Sequence, residues 1–236
     1  MDYVLLGTLV KQLRIYKGMT QNELAEGIMT RGNLTKLESG KQGTTKEKID
    51  LLFYRLGYTS KRFFSYILDD KDFKCFEIRK QLTDSLVCRN MNEAVRLIAE
   101  VETNEDFSEG LSRQFLLKSK AAFNQIQNFS RTERYAYLLE AIKITIPDFE
   151  EKLVHTYPLG GEDIEIIGMI ATVHEENGEY ARAIKLLRKL AKNISEHFMD
   201  EYEKARNLTY TLFNLSGIFS TQKRYQEALE VCIDLH

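Results

Sequence analysis

The chain has 236 residues, 43% of them hydrophobic and 29% charged, with 33 Lys+Arg against 35 Asp+Glu and a net charge of -2. This composition excludes a disordered chain, and two prolines with 13 glycines argue against a loop-rich all-β fold. No stretch approaches the roughly 18 apolar residues a membrane span needs. Three scattered cysteines (Cys75, Cys88, Cys232) make no disulfide framework.

The opening Met1-Asp2-Tyr3-Val4-Leu5-Leu6 lacks a basic n-region, and its apolar run breaks at Gly7 and Lys11. It does not read as a signal peptide, so a reduced, cytoplasmic setting is expected. The near-neutral total hides an asymmetry. Residues 1–68 hold 11 Lys+Arg and 6 Asp+Glu, net +5; the remainder holds 22 and 29, net -7. A basic module favours polyanions and an acidic body resists them.

In chain order, Leu6, Leu9, Val10 and Leu13 recur at helical spacing, which predicts a helix over 3–17 ended by Gly18. Thr20-Gln21-Asn22-Glu23 is a capping box opening a second helix with Leu24 and Ala25 inward. Gly27-Ile28-Met29 breaks it. Thr30 caps a third helix, Arg31–Ser39, with Leu34 and Leu37 inward and Gly40 closing it. Thr45 caps a fourth, carrying Ile49, Leu52, Phe53 and Leu56 and stopped by Gly57. Ser60 caps a fifth, with Phe63, Phe64 and Ile67.

Two short helices across a tight turn make a helix-turn-helix unit. The string Leu6-Gly7, Leu13-Arg14, Gly18-Met19-Thr20-Gln21, Glu23-Leu24-Ala25, Leu34-Thr35-Lys36-Leu37-Glu38, Gly40-Lys41 resembles the XRE/Cro (phage-repressor) family over residues 5–57. The turn Gly27–Thr30 is one residue shorter than in most of that family. In this it resembles the PlcR/Rgg-type regulators, which respond to peptide pheromones. Gln42-Gly43-Thr44 replaces the family's proline after Gly40-Lys41.

The resemblance implies that the third helix enters the DNA major groove. Its outward residues would then be Thr30, Arg31, Gly32, Asn33, Thr35 and Lys36. Arg31 suits guanine O6/N7, and Asn33 suits adenine or a phosphate. Gln21 resembles the family's phosphate-anchoring glutamine at a helix N-terminus. Lys41 and Lys46 would position on backbone phosphates. The alternative is that Glu38 and the lysines merely solubilise helix faces.

Asp69-Asp70-Lys71-Asp72 marks a domain border as a solvated junction. Beyond it a phrase recurs, Ala with apolar residues at +1 and +4: Ala94-Val95, Ala136-Tyr137, Ala183-Ile184, Ala228-Leu229, spaced 42, 47 and 45 residues apart. Gly178-Glu179-Tyr180-x-x-Ala183-Ile184 and Lys223-Arg224-Tyr225-x-x-Ala228-Leu229 resemble the tetratricopeptide repeat, lengthened from its ~34 residues. Ala171 and Ser216 stand at the small positions. Helix pairs of this kind bury their apolar faces only by stacking.

That resemblance implies a concave face made by the first helix of each pair. By register it carries Glu165, Met169, Thr172, Tyr210, Phe213, Asn214 and Gly217, with Lys118, Ala122 and Gln125 from a weaker unit. Asn214 is the best candidate for a peptide ligand, because an amide donates and accepts at once; Gln125 is next. Tyr210 and Phe213 are either apolar pockets there or inter-helix core. The last unit stops at Cys232-Ile233-Asp234-Leu235-His236, inside an apolar helix, which suggests a fragment end or a dimer partner.

Catalytic signatures are missing. His174-Glu175-Glu176-Asn177 lacks the second histidine of H-E-x-x-H, and Gly160-Gly161 lacks the Lys-Ser/Thr of a phosphate loop. The four histidines have no metal-ligand spacing, His174 reads as a packed core histidine, and Cys232 reads as core. The expected fold is all-α: a five-helix helix-turn-helix domain over 1–68, then a tetratricopeptide-like right-handed helical solenoid over 72–236, about four helix pairs with the last truncated. The expected function is a non-enzymatic, cofactor-free, homodimeric regulator. Its partners would be a double-stranded DNA operator and a short peptide, with no membrane. The alternative is a protein-interaction module with a degenerate DNA-binding head, which Gly32 would favour.

Overall fold

Capping chemistry sets the start of each short helix near the N-terminus. Helix α1 (Tyr3–Tyr16) is followed by α2 (Gln21–Ala25), α3 (Arg31–Glu38) and α4 (Lys46–Arg55). The side chains of Thr20, Thr30 and Thr45 accept from Glu23, Asn33 and Lys48 N–H, and Glu23 returns a bond to Thr20 N–H. The computed structural model describes residues 3–57, 70–197 and 201–233. The fifth helix expected around Ser60, Phe63, Phe64 and Ile67 lies outside them.

These helices close on Leu6, Val10, Leu24, Ala25, Leu34, Leu37, Ile49, Leu52, Phe53 and Leu56. Each of the Leu, Val, Ile and Phe side chains among them stabilises the fold on burial by roughly 1.5–3 kcal/mol before the entropy of ordering is subtracted. Gly7 lets α1 touch α3, for a Cβ there would lie 1.9 Å from the Leu37 carbonyl oxygen.

The body is four helix pairs in chain order: α5 (Asp70–Val87) with α6 (Met91–Glu102), α7 (Gly110–Ile126) with α8 (Arg131–Thr145), α9 (Gly161–Glu176) with α10 (Tyr180–Glu196), and α11 (Glu201–Thr221) with α12 (Tyr225–Ile233). The described residues form no strand. Every pair turns the same way. Arg89, Asn128, Gly178 and Lys223 take positive φ, and the next N–H reaches back to a carbonyl of the preceding helix. Examples are Glu179 to His174 and Arg224 to Phe219, at 2.8 and 2.9 Å.

That turn fixes the register of the repeat. Ala94, Ala183 and Ala228 each sit five residues past a positive-φ residue, and all three are buried. The second unit departs from the sequence expectation, because Ala136 is exposed. Its turn is one residue longer, through Phe129, so the fourth position after the cap falls on Arg134. Arg134 is buried and paired with Glu176 of α9.

Two cores fill the body. One gathers Leu82, Ala94, Leu97, Ile98, Val101, Phe107, Phe115 and Leu116. The other runs from Leu117 through α8–α11 to Ala228. His174 is buried beside Tyr135, as expected of a core histidine, but both ring nitrogens face carboxylates, Glu151 and Glu179, at 3.0 Å. Cys232 departs from its core assignment. It is exposed, because no described element packs on that side of α12.

Candidate nucleic-acid interface

The third helix presents an unbroken polar rod. Thr30 caps it, and Leu34 and Leu37 anchor its underside. Thr30, Arg31, Gly32, Asn33, Thr35 and Lys36 are all exposed, as the helical spacing required. Arg31 and Lys36 can meet acceptors such as base edges and phosphate oxygens, and Asn33 can both donate and accept. At Gly32 an added Cβ would meet nothing within 4 Å, so the backbone is open to close approach.

Beneath the rod lies a network the sequence reading missed. The Arg14 guanidinium grips Glu38 with two bonds of 2.6 and 2.9 Å, and it also donates to the Met19 carbonyl. Glu38 is thus a buried strut between α1 and α3, not a solubilising surface acid. Burial alone would raise its carboxyl, but bonds from Arg14 and Gln21 and the Arg14 charge hold it below the ordinary value. Gln21 donates to Glu38 at 2.9 Å and faces the Thr35 hydroxyl at 3.1 Å. Its amide therefore orients α2 on α3, leaving the first turn of α2 at the edge of the rod.

Lys41 is exposed just past α3. Lys46 opens α4 half-buried, and its charge acts on Cys75 of α5, so it faces the body.

The basic domain docks on the body through α4. The Tyr54 hydroxyl accepts from Asp163 N–H at 3.1 Å. The Asp163 carboxylate, fully buried, accepts from Thr145 at 2.6 Å, Gln114 at 2.9 Å and Gly160 N–H at 3.2 Å. Burial pushes the Asp163 carboxyl up to about 6, against the pull of bonds from Thr145, Tyr54, Gly160 and Gln114. A Cβ on Gly160 would lie 2.1 Å from the Tyr54 ring, so only glycine leaves room for the phenol. Nothing in the sequence marked Tyr54, and Gly160 stood out only as an incomplete phosphate loop.

One residue away, Glu162 faces the side of the body where α7, α9 and α11 lie alongside one another. Lys118 pairs with Glu162 and, at 2.5 Å, with Glu165. Burial works against its charge, but the two acids hold its ammonium well above the ordinary lysine value. Tyr210 lies over Gly168, where a Cβ would come within 2.7 Å of the ring. The Asn214 amide neighbours the Tyr210 hydroxyl, yet its Nδ2 makes no well-formed hydrogen bond. The structure thus gathers Lys118, Tyr210 and Asn214. Met169 and Thr172 are half-buried on α9, and Gln125 is half-buried near the end of α7. Phe213 is 72% exposed and is not inter-helix core. The described residues hold no cluster of metal-ligating side chains, and no described helix is long and apolar enough to cross a membrane.

Comparison with known proteins bears on both halves. The helix-turn-helix family model matches residues 10–60. No curated protein matches the sequence. Among solved structures, Bacillus thuringiensis PlcR in complex with the peptide PapR7 and DNA is 16% identical. That match covers 98% of this chain and 78% of that one, with a TM-score of 0.55. The apo competence regulator ComR from Streptococcus vestibularis is 16% identical over 100% of this chain and 78% of that one, TM-score 0.44. The SHP pheromone receptor Rgg2 from Streptococcus dysgalactiae is 12% identical over 98% of each chain, TM-score 0.32. The chain therefore carries a helix-turn-helix domain, joined to a stacked-helix body with the fold of PlcR.

Proposed function

We propose that this chain is a sequence-specific, DNA-binding transcriptional regulator that acts as a homodimer and is modulated by a short peptide held on the α7–α9–α11 face. The carrying observation is the rod Arg31–Lys36, exposed along its length and braced from below by Arg14, Glu38 and Gln21. A helix so mounted reads base edges with Arg31 and Asn33 and rests on phosphates through Lys36 and Lys41. A dimer would present two such rods to half-sites one helical turn, about 34 Å, apart.

The peptide assignment is supported by the PlcR fold and by the Lys118, Tyr210 and Asn214 cluster. Asn214 can pair with an extended backbone, and Lys118 can exchange a carboxylate partner for a peptide acid. Glu162 touches Lys118 while its neighbour Asp163 holds Tyr54. A ligand that rearranges the first turn of α9 thereby acts on the docking of the DNA-reading domain. A ligand shifts such an equilibrium only by its differential affinity for the two arrangements.

Selection of bound sequences from a random duplex library tests the reading. An enriched two-fold-symmetric motif, lost in Arg31→Ala/Lys36→Ala, is expected. Uniform, salt-sensitive binding with no enriched motif would overturn it.

A further inference from the structure

Helix α10 carries an unexplained surface. Its inner face is strongly apolar, with Ala183, Ile184, Leu186, Leu187, Leu190 and Ile194 buried. Its outer face holds Lys185, Arg188, Lys189 and Lys192, at helical spacings that place all four in one stripe. Seven residues at 1.5 Å rise make that stripe about 10 Å long. It lines a groove of about 460 Å³ together with exposed Ala181, the edge of the largely buried Ile184 and, just before α12, Arg224.

These cations are poorly neutralised. Among the described residues, no carboxylate lies within ion-pair distance of Lys185 or Arg188. Lys192 has only Glu196, at 3.8 Å, and Lys189 donates to the Lys152 carbonyl. Arg224 is held bidentately by Glu227, with bonds of 2.5 and 2.6 Å, and the same carboxylate also feels the Arg188 charge beyond ion-pair distance. Two of the cations are also preset. The guanidiniums of Arg224 and Arg188 stand 4.6 and 5.8 Å from the centroid of the buried Phe219 ring. Such a concentration of positive charge costs self-repulsion. It is the more conspicuous because residues beyond 68 carry a net -7.

We propose that this groove binds a nucleoside polyphosphate. The apolar lining of Ala181 and the Ile184 edge accepts the base, and the stripe from Lys185 to Lys192 accepts the phosphate chain, with Arg188 as the fork-shaped donor. Two features favour this occupant over a macromolecule. The groove is lined by a single helix stripe and one neighbouring arginine, and a stripe about 10 Å long is shorter than a duplex or a docked helix would cover. This site is separate from the peptide-binding face and does not depend on that assignment.

Calorimetric titration of the whole chain with ATP, GTP, inorganic tripolyphosphate, adenosine and a glutamate-rich peptide, at about 0.15 M salt, tests the proposal. One of the nucleotides is expected to bind at least about tenfold, or 1.4 kcal/mol, tighter than tripolyphosphate, with adenosine weaker still. Lys185, Arg188 and Lys192 are exposed, so Lys185→Gln/Lys192→Gln should weaken the nucleotide at least about tenfold and leave the melting temperature unchanged. Ala181→Glu should weaken it as well. Equal affinity for tripolyphosphate and nucleotide would reveal mere polyanion attraction and overturn the proposal. So would tighter binding of the acidic peptide, no binding of either nucleotide, or nucleotide binding indifferent to the double substitution.

Discussion

Tyr54 of the helix-turn-helix domain and Asp163 of the body meet in one buried contact, the phenol oxygen 3.1 Å from the Asp163 backbone nitrogen and bonded to its carboxylate. The contact ties α4, the helix after α3, to the first turn of α9. Three body residues, Gln114, Thr145 and Gly160, converge on the same carboxylate.

The first prediction concerns pH. Burial raises the Asp163 carboxyl to about 6 from an ordinary 3.8, so the folded state holds its proton to higher pH than the unfolded chain does. The stability from this proton is fully present below about pH 4 and is lost as pH rises through about 6, a change of about 3 kcal/mol. Glu151 acts in the opposite sense. Burial raises it, but His174 and Arg182 bring it down to about 2, so its contribution is present above the ordinary carboxylate range and lost toward pH 2. The checkable quantity is thus a difference. Urea unfolding at pH 4.5 and 7 should show that Asp163→Asn removes part of the wild-type dependence between those values. Identical slopes in the two proteins would contradict the assignment.

Gly160→Ala should undock the helix-turn-helix domain. The new methyl would overlap the Tyr54 ring at 2.1 Å, and overpacking of this kind costs about 1–3 kcal/mol. Tyr54→Ala makes room, so Gly160→Ala should cost clearly less in that background. A double-mutant cycle by chemical denaturation measures the coupling. Simple additivity would place the clash elsewhere.

Glu38→Ala leaves the Arg14 guanidinium, 12% exposed at its side chain, without its carboxylate. Removing one partner of a buried pair costs roughly 3–5 kcal/mol. Thermal melts should show a large loss, and under the proposed function duplex binding should weaken as well, through misplacement of α3. Glu38→Gln keeps one acceptor for Arg14 and should lose less.

The sequence carried the small-helix domain well, because threonine caps, a capping box and glycine stops are local signals that tertiary packing did not override. The rod Arg31–Lys36 was legible for the same reason: fixing Leu34 and Leu37 inward leaves its exposed side determined by helical geometry. The body was legible where its turn used Gly178. It was misread at Ala136, because a one-residue insertion at Phe129 shifts the register and places a buried Arg134 where other units have alanine. Tyr54 and Asp163 left no trace and Gly160 showed only as an incomplete phosphate loop, since their roles arise from a contact 109 residues apart in sequence. Lys118 and Glu165 were identified from repeat register, but their pairing and the second acid, Glu162, were not.

The turns themselves supply the last prediction. Lys223 holds φ at +61° and Arg89 at +56°, in the left-handed region where a side chain costs about 1–2 kcal/mol. Gly178 occupies the same position in the third pair at +77°. Each turn is otherwise satisfied, with the following N–H bonded back to the preceding helix. Substituting glycine relieves the steric cost but adds backbone entropy to the unfolded chain, worth roughly 0.5–1 kcal/mol the other way. The net expectation for Lys223→Gly is a gain of about 0.5–1 kcal/mol. Lys223→Ala, which keeps a Cβ, should show no such gain. Urea denaturation of both variants separates the two cases. Equal stabilities would mean that this turn stores no backbone strain and that the shared geometry of the four pairs is set by packing alone.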